Sequence, residues 1–252
     1  MQSYLCFNLI KAKYSCFALQ KEKRMKKLNS FSLFIVTLLV SFNCAPITSD
    51  MQSAKSIGKG GIEVTLNTGS LDYDDSDGNS MSAVQDNFGA HIAYGLGDKF
   101  DIRGRFENIN VNGLNGLDES GEGVDITLFS IGIKYGIFKD KLALYLPYDI
   151  YYSDGESGPE TLAPTLIYTK TLKEAFEVNP SAKWIMPMNE ETDSDPGLAI
   201  NLGLGVNPGS LLKKVEFERA MLRAEYGLYL PIDSEGDAWF SHTTFGLTYR
   251  IK

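Results

Sequence analysis

From Gly60 onward, apolar and polar residues alternate with a period of two through ten successive segments, and this alternation restricts the chain to extended strands with two unlike faces. Ile62, Val64 and Leu66 alternate with Glu63, Thr65 and Asn67. Phe88, Ala90, Ile92 and Tyr94 alternate with Gly89, His91 and Ala93, and Phe100, Ile102, Gly104 and Phe106 with Asp101, Arg103, Arg105 and Glu107. The same pattern returns over 123–137, 141–152, 161–171, 175–188, 198–207, 220–232 and 239–251. Most segments run roughly 9 to 15 residues, against a mean of about 5 to 6 for strands of soluble proteins. Such a length suits a tilted strand that crosses a bilayer.

The connections fall into two classes by parity. After the second, fourth and sixth segments they are short: Leu96–Lys99, Phe138–Asp140 and Leu172–Glu174. The link after the eighth, Pro208–Arg219, is longer and has room for a short helical turn. The odd links run through 72–86, 107–125, 153–160, 189–197 and 233–238, and carry Asp and Glu but no Lys or Arg. Lys99, Lys139, Lys141, Lys173, Lys213, Lys214 and Arg219 gather at the even links instead. An up-and-down meander with two distinct ends is the simplest arrangement that sorts charge by loop parity. With an even strand count it also returns the C-terminus to the end where the chain began.

Upstream, Met25-Lys26-Lys27 and the apolar run Phe31–Phe42 form the n-region and h-region of an export signal, too short to span a bilayer as a helix. The boundaries expected are an overextended start or long n-region over 1–24, the signal over 25–43, a periplasmic linker over 44–57 and a barrel over 58–252. Cys44 closes the h-region, where the acyl-accepting cysteine of a lipoprotein signal would stand; Leu39–Cys44 resembles that lipobox, with ordinary signal cleavage as the alternative. Beyond residue 43 the chain has 17 basic and 31 acidic residues. This acidity speaks against nucleic acid as a partner. No cysteine follows Cys44, which excludes a disulfide framework.

Long alternating strands, two classes of connection and an export signal make the chain similar to bacterial outer-membrane β-barrels, with short periplasmic turns and longer outer loops. The last segment, Thr244-Phe-Gly246-Leu-Thr-Tyr249-Arg-Ile251, resembles the C-terminal assembly signal of that family, with Lys252 where many members end in Phe or Trp. Tyr94–Phe106 is also similar to hairpins of small members. The resemblance implies an all-β antiparallel up-and-down transmembrane barrel of about ten strands in the outer membrane, with membrane lipid and the barrel assembly machinery as partners. A soluble ligand carrier would alternate in the same way with its apolar face inside. Strand length, the export signal, the terminal motif and aromatic residues near strand ends (Tyr94, Phe138, Tyr152, Trp184, Trp239) favour the membrane.

If the apolar face meets lipid, the lumen receives Glu63, His91, Asp101, Arg103, Arg105, Glu107, Asp125, Glu177, Lys183, Arg223, Glu225, His242 and Arg250. A ten-strand barrel is little wider than the eight-strand kind that side chains fill, so these charges are expected mostly to pair across it. The two histidines, His91 and His242, come with no nucleophile, base and orienter set, and no enzyme activity is expected. The Asp72–Gly78 run fails as an EF-hand, because Tyr73 and Val84 would occupy ligand positions one and twelve. No cofactor or dedicated metal site is expected; the acidic loops could hold divalent cations weakly. Three roles follow in order: narrow porin-like passive transport or envelope structure, a surface adhesin or ligand-binding barrel using the acidic loops, and a barrel hydrolase.

Overall fold

The computed structural model describes residues 49–76, 78–112, 124–153, 155–189, 196–232 and 238–251. Cys44 and the export signal lie outside the described residues, as do many of the odd-link acids. The described strands are β1 (Ile62–Asp75), β2 (Ser80–Gly95), β3 (Phe100–Val111), β4 (Val124–Phe138), β5 (Leu142–Ser153), β6 (Glu156–Leu162), β7 (Thr165–Tyr168), β8 (Lys170–Leu172), β9 (Phe176–Pro187), β10 (Gly197–Val206), β11 (Ala220–Pro231) and β12 (Ala238–Arg250). β6, β7 and β8 together make one barrel strand. Pro164, which has no N–H to offer a ladder, lies at its first break. Backbone bonds from Ala163 to Pro147, from Trp184 to Pro164 and from Thr169 to Lys141 carry the pairing past the breaks.

Each strand pairs antiparallel with its chain neighbours, and β1 pairs with β12 from Glu63↔Arg250 to Asp75↔Ala238. The sheet is thus a closed ten-strand antiparallel barrel with no free edge. At one end, here the turn end, the links are short apart from 207–219. That link holds a helical turn α1 (Pro208–Leu212), capped by the Asn207 side chain, and a 3-10 turn Val215–Phe217.

The alternation is realised with the apolar face outward. Phe88 is 62% exposed and Ile131 58%, and Leu144, Leu202 and Leu228 share that face, while Asp101 and Glu107 on the inner face are fully buried. A continuous apolar band of this kind on a closed barrel is a lipid-facing surface.

At the other end, the loop end, the odd links 72–86, 107–125 and 153–160 include strand ends. β1 runs on through Asp72, Asp74 and Asp75, and β2 already begins at Ser80. Leu71 and Tyr73 keep pointing inward there, so the strand holds its pleat past the acids. Likewise β3 continues to Val111 and β6 starts at Glu156. Acids on these extensions lie on strands rather than in loops.

The linker expected over 44–57 is corrected over its described part. Ser49–Ile57 lies inside the barrel, with Ser49 to Ala54 at most 5% exposed. The inner face of the wall offers the segment charged and hydroxyl partners in place of the water it gives up.

Candidate functional site in the barrel lumen

The lumen has two unlike halves. Toward the loop end the inward positions are mostly apolar: Leu71, Tyr73, Ile109, Leu128, Tyr229 and Phe240 are all buried, with Gln85 and His242 beside Leu71. Phe240 is the hub, with ring centroids 5.5 Å from Tyr73 and 6.1 Å from Tyr229. Tyr229 lies flat over Gly197, where a Cβ would fall 2.1 Å from its ring, so only glycine fits at that position. This half is a packed hydrophobic core of the kind found in a soluble protein.

The half toward the turn end is charged and paired. Glu63 takes Arg103 at 3.3 Å and Arg250 at 2.9 Å, and Arg105 bonds Glu107 at 2.7 Å. Lys134 pairs with Asp101 at 3.0 Å, and Arg223 with Glu177 at 2.9 Å. The wall acids Glu63, Asp101, Glu107, Asp149, Glu177 and Glu225 are matched in number by Arg103, Arg105, Lys134, Lys183, Arg223 and Arg250, so the wall carries no net charge. Buried charges persist only where they are paired in this way.

Ser49–Ile57 threads through this charged half. Asp50 N–H donates to Glu225 Oε1 at 3.1 Å, Ala54 N–H to Thr169 Oγ1 at 2.7 Å and Ile57 N–H to Asp101 Oδ1 at 3.2 Å. The Lys134 ammonium donates to the carbonyls of Ser53 and Lys55 at 3.2 and 2.6 Å. Two ion pairs fix the register: Asp50 with Lys183 at 2.8 Å and Lys55 with Glu177 at 2.9 Å. Ala54 packs in an apolar cluster with Ala143, Tyr145 and Ile167. Met51 lies against Gly246, where a Cβ would come within 2.7 Å of the methionine methyl. The glycine of the terminal motif therefore also makes room for the segment.

Between segment and wall sits a cavity of about 10 Å³ lined by Asp50, Gln52, His91, Arg103, Gly104, Arg105 and Tyr145. Asp50 Oδ2, Gln52 Oε1, Arg103 Nε and Arg105 Nη2 are buried there without a hydrogen-bond partner. Its size and mixed polarity suit one water, which both donates and accepts.

Of the lumen residues expected from sequence, all face inward except Asp125. That carboxylate is exposed and accepts from Asn110 Nδ2 at 2.8 Å. The inward residues of β4 are the even ones, Ile126, Leu128, Ser130 and Lys134, so Asp125 faces out at the loop end. Sequence reasoning missed Lys134 and Asp149. Lys134 shares its parity with Ile126 and Leu128, and that mixed face hides the charge. It also missed Asp50 and Lys55, which no strand period marks.

The two histidines do not meet. His91 Nε2 lies 3.0 Å from Glu107 and His242 Nε2 3.6 Å from Glu225, and β1 places them opposite Thr65 and Leu71 respectively. In the terminal motif, Thr244 and Gly246 face inward, while Tyr249 and Ile251 are exposed to the lipid side. No group of His, Cys, Asp and Glu able to hold a metal occurs among the described residues.

Residues 35–250 match the family model of the outer membrane protein β-barrel domain, and the chain belongs to that family. It is a protein of the outer membrane. No curated protein matches it. Among solved structures it is similar to Ail, the attachment invasion locus protein of Yersinia pestis, at 14% identity over 77% of this chain and 99% of that one, with a TM-score of 0.36. The translocator domain of the autotransporter NalP from Neisseria meningitidis is 14% identical over 76% of this chain and 88% of that one, with a TM-score of 0.44. The KdgM porin, solved in complex with disordered oligogalacturonate, is 13% identical over 75% and 98%, with a TM-score of 0.38. Likeness at these scores carries no argument about role.

Proposed function

We propose that this protein is a closed, non-enzymatic outer-membrane barrel with an envelope-structural role, its turn end in the periplasm and its loop end outside. One observation carries the reading: the lumen is filled along its length, by the apolar core around Phe240 in the outer half and by Ser49–Ile57 in the periplasmic half. Solute passage needs a continuous wetted path, and buried, paired charges beneath an apolar plug supply none. Each histidine sits beside its own glutamate, as an oriented base would, but among the described contacts His91 meets no serine, threonine or cysteine that it could activate. The assembly machinery reads the exposed Tyr249 and Ile251, and divalent cations at the acidic rim are a secondary, weak feature.

Conductance of the refolded full chain in a planar bilayer tests the reading. The barrel is expected to insert without a steady current. Sustained single-channel steps from the wild type would overturn the closed-barrel role and restore narrow, porin-like transport.

A further inference from the structure

The contacts between Ser49–Ile57 and the wall are those of a receptor with its ligand. Most of them address the peptide backbone: N–H groups of Asp50, Ala54 and Ile57 meet wall acceptors, and carbonyls of Ser53 and Lys55 meet the Lys134 ammonium. Recognition of backbone groups is indifferent to most side chains. Side chains add specificity: Lys183 against an acid at position 50, Glu177 against a base at position 55, Asp101 against the Ser56 hydroxyl at 3.0 Å, and a small apolar pocket against Ala54.

The segment is joined to β1 through Gly58-Lys59-Gly60-Gly61. Gly58 and Gly60 sit at φ of +84° and +75°, which glycine adopts without strain, and a Cβ on either would meet nothing within 4 Å. Lys59 is exposed at the rim. The occupant is therefore joined to β1 through a glycine turn bonded to Gly95, at the mouth of the cup.

We propose that the periplasmic half of the lumen is a receptor site for a peptide segment, left-handed at its third residue as Met51 is (φ +47°), and that Ser49–Ile57 is its occupant in cis. The ligand class is a linear segment with an acidic residue five positions before a basic one, offered from the periplasm by the tail of another protein. This rests on the closed-barrel reading, because the apolar outer half is what makes the site a blind cup with one mouth. The cis segment then acts as a tethered competitor whose high local concentration a free peptide must overcome.

The test weakens the tethered occupant without touching the wall. The full chain carrying Asp50→Lys with Lys55→Glu is refolded in detergent, and cold SDS gel migration reports the closed barrel. The probe is a fluorophore-labelled peptide with the sequence of Ser49–Ile57, followed by anisotropy. The doubly reversed protein is expected to bind it at least tenfold tighter than the wild type. Adding Lys183→Glu to the wall is expected to weaken that binding at least tenfold. Should the double reversal fail to fold, Asp50→Asn replaces it, with a smaller gain in the same direction.

A folded variant that does not bind the peptide overturns the receptor site, as does equal binding by wild type and variant, which would mark uptake by the micelle. Neither result touches the closed-barrel reading, which the bilayer current decides by itself.

Discussion

Asp50 and Lys183 meet at 2.8 Å with side chains 4% and 1% exposed, so removing either one alone strands a buried charge. Breaking such a pair from one side typically costs about 3 to 5 kcal/mol. Asp50→Ala is expected in that range as long as the segment stays in the lumen. The segment can also leave and let water reach Lys183, so the observed cost is capped by the free energy that holds the segment in place. Asp50→Ala with Lys183→Met removes both charges and leaves apolar groups of moderate size. Because replacing a buried pair by apolar side chains is often neutral, the double variant is expected within about 1 kcal/mol of the wild type. With both single costs in that range, the coupling energy of the cycle is at least about 5 kcal/mol, several thousandfold in the unfolding constant, less whatever release of the segment saves. Urea unfolding in lipid vesicles, followed by the fluorescence of Trp184 and Trp239, measures the four corners by linear extrapolation. Additive single costs, with coupling below about 0.5 kcal/mol, would refute the contact. A neutral Asp50→Ala would place the segment outside the lumen altogether.

On the lipid face, Leu144→Arg is expected to destabilise the vesicle-inserted barrel by about 2 to 4 kcal/mol near the bilayer midplane in the same assay. Tyr145→Arg, which a water-lined lumen would tolerate, is expected to cost at least as much, since Tyr145 is buried against Ala54. Gly197→Ala forces a methyl onto the Tyr229 ring and is expected to cost about 1 to 3 kcal/mol, and close to nothing when introduced into Tyr229→Ala; an unchanged unfolding midpoint would remove the close approach. For the export signal we propose acylation at Cys44: fatty-acid labelling should mark the wild type and miss Cys44→Ala, and equal labelling of both would end the idea.

The strands, their number and the face most residues take were legible in the chain because a pleated strand has a period of two and every inner position of one strand shares its parity. Glu63, Arg103, Arg105 and Glu107 could be assigned to one interior from that period, and Leu142, Leu144 and Leu146 to the opposite surface. Loop parity likewise separated an acidic end from a basic one, although Leu71 and Tyr73 show that the pleat outruns the first acids. Asp125 was misplaced because its strand has a mixed inner face, where Ile126 and Leu128 precede Lys134. Which inner charge pairs with which depends on barrel closure, since Glu63 and Arg250 become neighbours only when β1 meets β12. Least legible was the segment Ser49–Ile57. It has no strand period, its bonds to Thr169, Lys183 and Glu225 span more than a hundred residues, and its polar sequence reads equally well as a solvated linker. Alternation is a local property of neighbouring residues, and it was enough to specify a lipid-facing barrel. That the barrel is filled follows from closure, because a lumen exists only once the first and last strands have met.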